Sequence, residues 1–208
     1  TANDWTTVYA THFLIEAKRA GYAVPEGTLT SALVAVSGIA RGKKTEDYYS
    51  YTDQKVAVRR IANKSALYAL FVLSLAGTPE RSVMGFYRTE KSLLSEDTRV
   101  LLAAAFALSG DRRTYTELLP PKFVPEEARR TTGENFDSPV RSAALMLYVM
   151  LETDLNNPAI PTAMEYLAKL YKSSSWYSTQ DDAFTLLAFG KAARMASAGQ
   201  VEGTVKTG

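Results

Sequence analysis

The sequence predicts an all-α fold assembled from repeated helix pairs, one helix inside and one outside, and two observations carry that prediction. First, the blocks Tyr9 to Ala20, Ala66 to Ala76, Arg99 to Leu108, Ser142 to Leu151 and Ala183 to Gly190 have helical length, and four of them are apolar on nearly every side. A helix without a polar face must be covered all round by other protein, so these blocks read as interior helices. Second, more polar helical stretches lie between them. The inner blocks start at 9, 66, 99, 142 and 183, which sets them 57, 33, 43 and 41 residues apart, near the period of two-helix repeats.

In order, Asn3 or Asp4 caps a first helix that Gly21 ends, and a second helix is predicted from about Thr28 to Arg41 after Val24-Pro25. Gly42 to Ser50 reads as a polar connector rich in tyrosine. A long helix is predicted from about Thr52 to Ala76, its charged first half carrying Lys55, Arg59, Arg60 and Lys64 from the rim into the core, with Gly77-Thr78-Pro79 as its stop. Pro79 at a first helical position starts a short outer helix to about Lys91. Ser95, Glu96 and Asp97 form the capped, acidic first turn of the next inner helix, which Ser109-Gly110-Asp111 ends. Leu119 to Asp137, with Pro120, Pro121 and Pro125, breaks the rhythm, and a loop of that length in a compact domain is functional or mobile. Ser138-Pro139 and Asn157-Pro158 repeat one device, a capping side chain followed by proline at the first helical position. The last helix opens at Ser178-Thr179-Gln180-Asp181-Asp182, where a hydroxyl and an acid three residues on form a capping box, and runs to about Ser197. Residues 200–208 alternate weakly through Val201, Thr204 and Val205, so the expected division is a helical domain over 1–199 and a tail over 200–208 leading into a following β-sandwich module.

Composition narrows the function. A chain of 208 residues fits one domain and buries roughly 70% of its unfolded surface. Its 24 basic and 22 acidic residues are spread along the chain and leave a net charge of +2, so it carries no basic footprint for nucleic acid. No apolar run reaches the roughly 18 residues a bilayer span needs, and Ala66 to Gly77 and Val100 to Gly110 read as core helices. The chain opens at Thr1 without a methionine or a signal peptide and passes straight into helix, as a piece of a longer polypeptide would. With no Cys and one His, a zinc site, a thiol nucleophile and a disulfide framework are excluded within these residues.

The run Trp5-Thr6-Thr7-Val8-Tyr9-Ala10-Thr11-His12-Phe13-Leu14-Ile15-Glu16-Ala17-Lys18-Arg19-Ala20-Gly21-Tyr22-Ala23-Val24-Pro25 resembles a segment of the thioester-type helical domain of bacterial α2-macroglobulins. Ser65 to Gly77 and Thr179 to Gly190 fit the same family, though they would suit several helical toroids; the first run is the most specific. The resemblance implies an α/α toroid inside a large, complement-like, cell-envelope protein, periplasmic or extracellular, that traps proteases. In such proteins bait cleavage triggers a rearrangement, and a thioester between a Cys and a Gln acylates the attacking protease. It also implies β-sandwich modules of the parent polypeptide as partners, with target proteases met by the whole protein. The chain departs from the pattern in lacking any Cys, hence the Cys-x-Glu-Gln motif, which in the family lies upstream of the Trp5-like run. About five helix pairs can be placed, where the family's closed toroid has six, so the ring is expected to be incomplete.

Candidate residues divide between chemistry and packing. His12 lies one turn from Val8 and Glu16 and could be held as a base by that carboxylate, but without a nucleophile in the chain it reads as a packed or rim histidine. Adjacent helical residues point about 100° apart, so Asp181 and Asp182 read as capping and dipole acids rather than an acid pair. Glu134 and Asp137, with no partner evident on an inner helix, read as solvated loop charges. Trp5, Trp176 and the Tyr48, Tyr49, Tyr51 cluster could line a sugar or peptide groove, and more simply seal helix ends. Gly42-Lys43-Lys44-Thr45 is no phosphate loop, because Ser37 stands where the first glycine belongs and Lys44 where the hydroxyl belongs. Asn63-Lys64-Ser65 matches a glycosylation acceptor inside a predicted helix and reads as chance, while Arg59, Arg60 and Lys64 read as a solvated outer face.

No residue is therefore assigned a catalytic, cofactor-binding or metal-binding role. The expected function is a non-enzymatic scaffold domain of a broad-spectrum protease inhibitor. Two alternatives come from other classes: an α/α-toroid enzyme acting on polysaccharide or terpenoid, and a helical repeat scaffold that binds peptides. The enzyme requires facing carboxylates, and the inner blocks Ala66 to Ala76, Arg99 to Leu108 and Ser142 to Leu151 contain no Asp or Glu.

Overall fold

Side chains that satisfy the first free amides decide where most of the helices begin. The computed structural model describes residues 3–52, 55–119, 122–126, 136–174 and 176–198. Asn3 accepts from the amide of Thr6 and opens α1 (Asp4–Arg19), and Asn63 accepts from Ser65 and opens α3 (Lys64–Leu75). Ser95 and Thr98 satisfy each other's backbone at the start of α5 (Glu96–Leu108), and Ser138 caps α7 (Pro139–Thr153) with proline at its first position. Ser178 and Asp181 exchange the same pair of bonds at the start of α9 (Thr179–Ala198). Between these lie α2 (Glu26–Arg41), α4 (Arg81–Thr89), α6 (Arg112–Leu118) and α8 (Ile160–Ser173). At Gly77 and Gly110 the chain turns through positive φ, 80° and 88°, so that the amide of the next residue reaches back to the carbonyl of Leu73 or Phe106 and closes the helix end.

The odd-numbered helices form the inside. Consecutive inner helices pack on each other, α1 on α3, α3 on α5, α5 on α7 and α7 on α9, while α2, α4, α6 and α8 lie against them from outside. Every side chain from Lys64 to Leu75 in α3 and from Val140 to Leu151 in α7 is buried, which is what their lack of a polar face requires. The first and last inner helices meet through aromatic rings: Phe184 of α9 lies 6.3 Å from Trp5 and 5.5 Å from Tyr9, and the Trp5 indole N–H donates to Gln180 at 3.3 Å. The core holds Leu67, Leu70, Phe71, Leu102, Leu147 and their neighbours. Each such side chain contributes roughly 1.5–3 kcal/mol when taken fully out of water.

One element departs from the all-helical expectation. The segment read as a connector followed by the first half of a long helix is a β-hairpin, β1 (Thr45–Thr52) paired antiparallel with β2 (Lys55–Ala62), in the register Thr45 to Ala62 through Thr52 to Lys55. The β-branched Val56, Val58 and Ile61 and the tyrosines opposite favour extended backbone, and Asn63 then restarts the chain as a helix. Two smaller departures concern proline. Pro79 precedes α4 by two residues instead of opening it, and a 3-10 turn at Lys91–Leu93 follows. Asn157 and Pro158 stand in the turn before α8, with the Asn157 side chain accepting from the amide of Ala159. The 200–208 tail lies outside the described residues, as do Glu134 and much of the Leu119 to Asp137 loop.

Candidate functional site

The amino ends of α3, α5, α7 and α9 gather at one mouth of the bundle, and there the sequence has placed its buried charge. Each helix N-terminus carries a partial positive charge, which accounts for the acids: Asp97 in the first turn of α5, Asp137 just before α7 and Asp181 in α9. Lys64, first residue of α3, is a cation at a helix start and gains nothing from its own dipole. It is held instead by three carboxylates, Nζ lying 3.0 Å from Asp97 Oδ2, 3.0 Å from Glu126 Oε1 and 2.8 Å from Asp137 Oδ2. Arg141, one turn into α7, pairs with Asp137 and lays its guanidinium 4.1 Å over the Trp5 ring. Ser142 donates to Asp137 at 2.9 Å, and Ser138 donates to Asp181. Glu126 comes from the segment after α6 and also accepts the amide of Asp97 at 3.1 Å. From the hairpin, Glu46 accepts from the Asn63 side chain at 2.7 Å.

The charges are sealed from water, the side chains of Lys64, Asp97 and Glu126 being 2%, 3% and 0% exposed. Burial by itself would push Lys64 down, but Asp97, Asp137 and Glu126 overturn it and hold the ammonium above the ordinary lysine value. Burial raises Glu126 to about 7, reinforced by the charge of Asp97, and burial likewise raises Glu46 to about 7. Asp137 is held below its ordinary value: burial opposes this, and Arg141 and Lys64 prevail.

At the centre of the bundle His12 sits between two tyrosines of inner helices, Nδ1 at 2.7 Å from the Tyr68 hydroxyl and Nε2 at 3.1 Å from the Tyr148 hydroxyl. Burial, with Arg19 and Lys191 adding like charge, lowers it to about 3, so the imidazole is neutral at ordinary pH. Glu16 pairs with Arg19 rather than with His12, both of whose ring nitrogens are taken by tyrosines. At the other mouth Arg19 reaches Glu152 at 2.8 Å and Glu16 at 3.2 Å, and Lys191 closes on Glu152. A cleft of about 870 Å³ opens there between α1 and α9, lined by Phe13, Leu14, Tyr22, Val24, Leu187 and Arg194 among others.

Several sequence readings are corrected by this arrangement. Lys64 is no solvated charge, and Asp137 is a buried partner of Lys64 and Arg141, since neither could shed its hydration without the other. Arg59 and Arg60 are exposed as expected, Arg59 donating to the Ser92 and Leu94 carbonyls and Arg60 pairing with Asp47. Asp181 and Asp182 diverge as expected, the second accepting from Tyr171 at 2.8 Å. Trp5 seals the core, whereas Trp176 is 56% exposed. Tyr48 turns inward under Arg59 and Tyr49 outward, and the Tyr51 side chain lies outside the described residues. Lys43 and Lys44 serve packing, one over the Phe86 ring and one paired with Asp4. Asn63, the would-be glycosylation acceptor, is half-buried and engaged as a helix cap. Sequence reasoning missed Lys64, Glu126 and Glu46 as a cluster. The available signal was positional, a charged residue in or just before the first turn of successive apolar helices, at Lys64, Asp97 and Asp181.

Chemically, the cluster is a clamp. The acids converge as a toroid enzyme would need, but each is engaged by a base or an N–H and shut away from any substrate. Among the described residues no group of three or more His, Asp or Glu is placed to hold a metal ion, and no helix is long and apolar enough to cross a membrane.

No family model matches the chain. Two curated relatives, each called alpha-2-macroglobulin and from two strains of Xylella fastidiosa, are 27% identical over 214 residues, covering 99% of this chain. The chain spans 13% of the length of those relatives. Among solved structures, Salmonella alpha-2-macroglobulin reacted with methylamine superposes with a TM-score of 0.73 at 23% identity over 92% of this chain and 12% of its own. Trypsin-activated alpha-2-macroglobulin from Escherichia coli gives 0.69 at 20% identity over 90% of this chain and 13% of its own. A piece of the Escherichia coli protein running from domain MG7 to the C-terminus gives 0.72 at 21% identity, over 90% of this chain and 29% of that piece. The chain is thus similar along nearly all its length to one stretch of bacterial alpha-2-macroglobulins and shares the fold of that stretch.

Proposed function

We propose that this chain is the helical scaffold domain of an alpha-2-macroglobulin-like, broad-spectrum protease inhibitor of the bacterial cell envelope. The observation that carries the reading is end-to-end similarity to such proteins in both sequence and fold, at a small fraction of their length. The chain holds no Cys, so it supplies no thioester, and its buried charge cluster is engaged in holding helices together. Its part is mechanical: it presents a rigid helical body to the β-sandwich modules of the parent polypeptide, with residues 200–208 leading into the next of them. Proteases are met by the whole protein, in keeping with the Escherichia coli relatives, whose structures include forms activated by trypsin and by elastase.

Exposed apolar side chains on α1 and α9 support a domain that is covered in its parent. Phe13 and Tyr22, on and just after α1, line the cleft and are 65% and 72% exposed, and Leu186 on α9 is 74% exposed. The test is a protease-capture assay on the parent polypeptide, comparing the intact protein with one lacking residues 1–199. The intact protein should retain trypsin in a large complex and the deletion should not, while the 208-residue chain alone should neither cleave nor inhibit. Full capture by the deletion protein would defeat the proposal.

A further inference from the structure

The hairpin carries an inference that rests on the reading above and goes beyond it. The amide of Asn63 donates to the carbonyl of Lys44 at 2.9 Å, which makes 44 and 63 a bonded pair of the antiparallel ladder. With the register Thr45 to Ala62, the bonded pairs continue at 46/61, 48/59, 50/57 and 52/55. The backbone groups of Thr45, Asp47, Tyr49 and Tyr51 therefore point away from β2, to an edge that no third strand occupies among the described residues.

The two edges are not alike. β2 carries Lys55, Arg59 and Arg60 and is tied to the neighbouring Lys91–Leu93 turn by Arg59, so its edge is charged and flanked by that turn. β1 reads Thr-Glu-Asp-Tyr-Tyr-Ser-Tyr-Thr, without lysine, arginine or proline. Of its two acids, Glu46 turns toward the helix mouth and Asp47 is neutralised by Arg60 across the ladder. Beside that bare edge the facing pair Tyr49 and Val58 is 45% and 57% exposed. A two-stranded ribbon by itself is marginal in water, and the donors and acceptors of an extended edge are matched by another extended strand.

We propose that the outer edge of β1 is completed by a β-strand from a neighbouring β-sandwich module of the same polypeptide, outside residues 1–208. The hairpin then docks this helical domain by strand addition. The relatives, of whose length this chain is 13%, leave ample chain to supply that strand. The test is residue-resolved hydrogen exchange on the parent and on the 208-residue chain. The amides of Thr45, Asp47, Tyr49 and Tyr51 should exchange about tenfold or more slowly in the parent, and as open amides in the chain alone. Tyr49→Pro removes an amide that β2 does not use, so it should leave the melting of the isolated chain nearly unchanged and abolish the extra protection in the parent. Equal exchange in parent and isolated chain overturns the proposal. So does protection of the isolated chain that grows with its concentration, which would assign the edge to a second copy. Protease capture is read separately, so an inhibitor with an open β1 edge would sink this inference and leave the proposed function standing.

Discussion

At the scale of the residue, Lys64 shows how a buried charge is tolerated. Moving one ion into the interior costs several kcal/mol, and only close opposite charges with well-placed hydrogen bonds offset it. Lys64 has three such partners, and Asp137 has a second cation in Arg141. Lys64→Met should therefore cost about 3–5 kcal/mol, because it strands carboxylates rather than deleting a contact, and urea unfolding at neutral pH measures it. Protonation gives a second check, with opposite signs for two groups. His12 has a folded value of about 3 against an ordinary 6.5, so the unfolded chain binds the extra proton between those values, and stability falls as pH drops from 6.5 toward 3. The slope approaches about 1.4 kcal/mol per pH unit, and His12→Gln should remove it. Glu126, raised from 4.5 to about 7, contributes stability that is full below 4.5 and is lost as pH rises through 7, so Glu126→Gln should flatten the profile on the neutral side. The windows overlap between pH 4.5 and 6.5, where Glu126 and Glu46 oppose His12, so melting curves of each variant are compared with the wild type from pH 4 to 8. A difference between His12→Gln and the wild type that stays constant from pH 6.5 to 4 would contradict the assignment of His12.

At the scale of the element, caps and periodicity did the specifying, and their reach explains what was legible. Asn3, Ser95, Ser138 and Ser178 were readable as helix starts because each acts within three residues of itself. The inner helices were readable because an all-apolar run of that length has one comfortable place, the interior. The hairpin escaped because Lys55, Arg59 and Arg60 sit at spacings that also suit an outer helical face, and Val56 and Val58 alternate only once, Ile61 falling on the other face, too short a pattern to outvote them. The clamp escaped for a different reason: Glu126 and Lys64 are 62 residues apart and Lys64 and Asp137 are 73 apart, and no local pattern announces a pairing at that range. Asn63 stands where the two elements meet, ending the ribbon through its own amide and starting α3 through its side chain. Asn63→Ala should cost about 1 kcal/mol by loss of the cap, with the hairpin amides at its base exchanging faster than in the parent sequence. A variant as stable as the original would show that packing of α3 sets its own start.

At the scale of the whole molecule, the decisive feature is unequal covering of the inner helices. α3 and α7 have neighbours on all sides, and nearly every residue in them is buried. α1 and α9, which meet through Trp5, Tyr9, Gln180 and Phe184 at one end, spread apart into the cleft at the other. Phe13, on that cleft, and Leu186, next in sequence to the cleft-lining Leu187, are 65% and 74% exposed, although both belong to helices whose other faces form the core. In a free-standing domain these two side chains carry little of the stability, since most of their surface is already wet. Phe13→Asp with Leu186→Asp should thus change the unfolding free energy of the 208-residue chain by no more than about 0.5 kcal/mol per site, the range of surface substitutions away from special contacts. In the parent inhibitor proposed here the same pair should lie against other helices or modules, where a buried unpaired carboxylate costs several kcal/mol. The parent carrying both changes should then melt earlier or capture less protease, while the isolated domain melts as before. Loss of stability in the isolated chain would instead show that the seam is closed within these 208 residues and that the domain stands complete without neighbours.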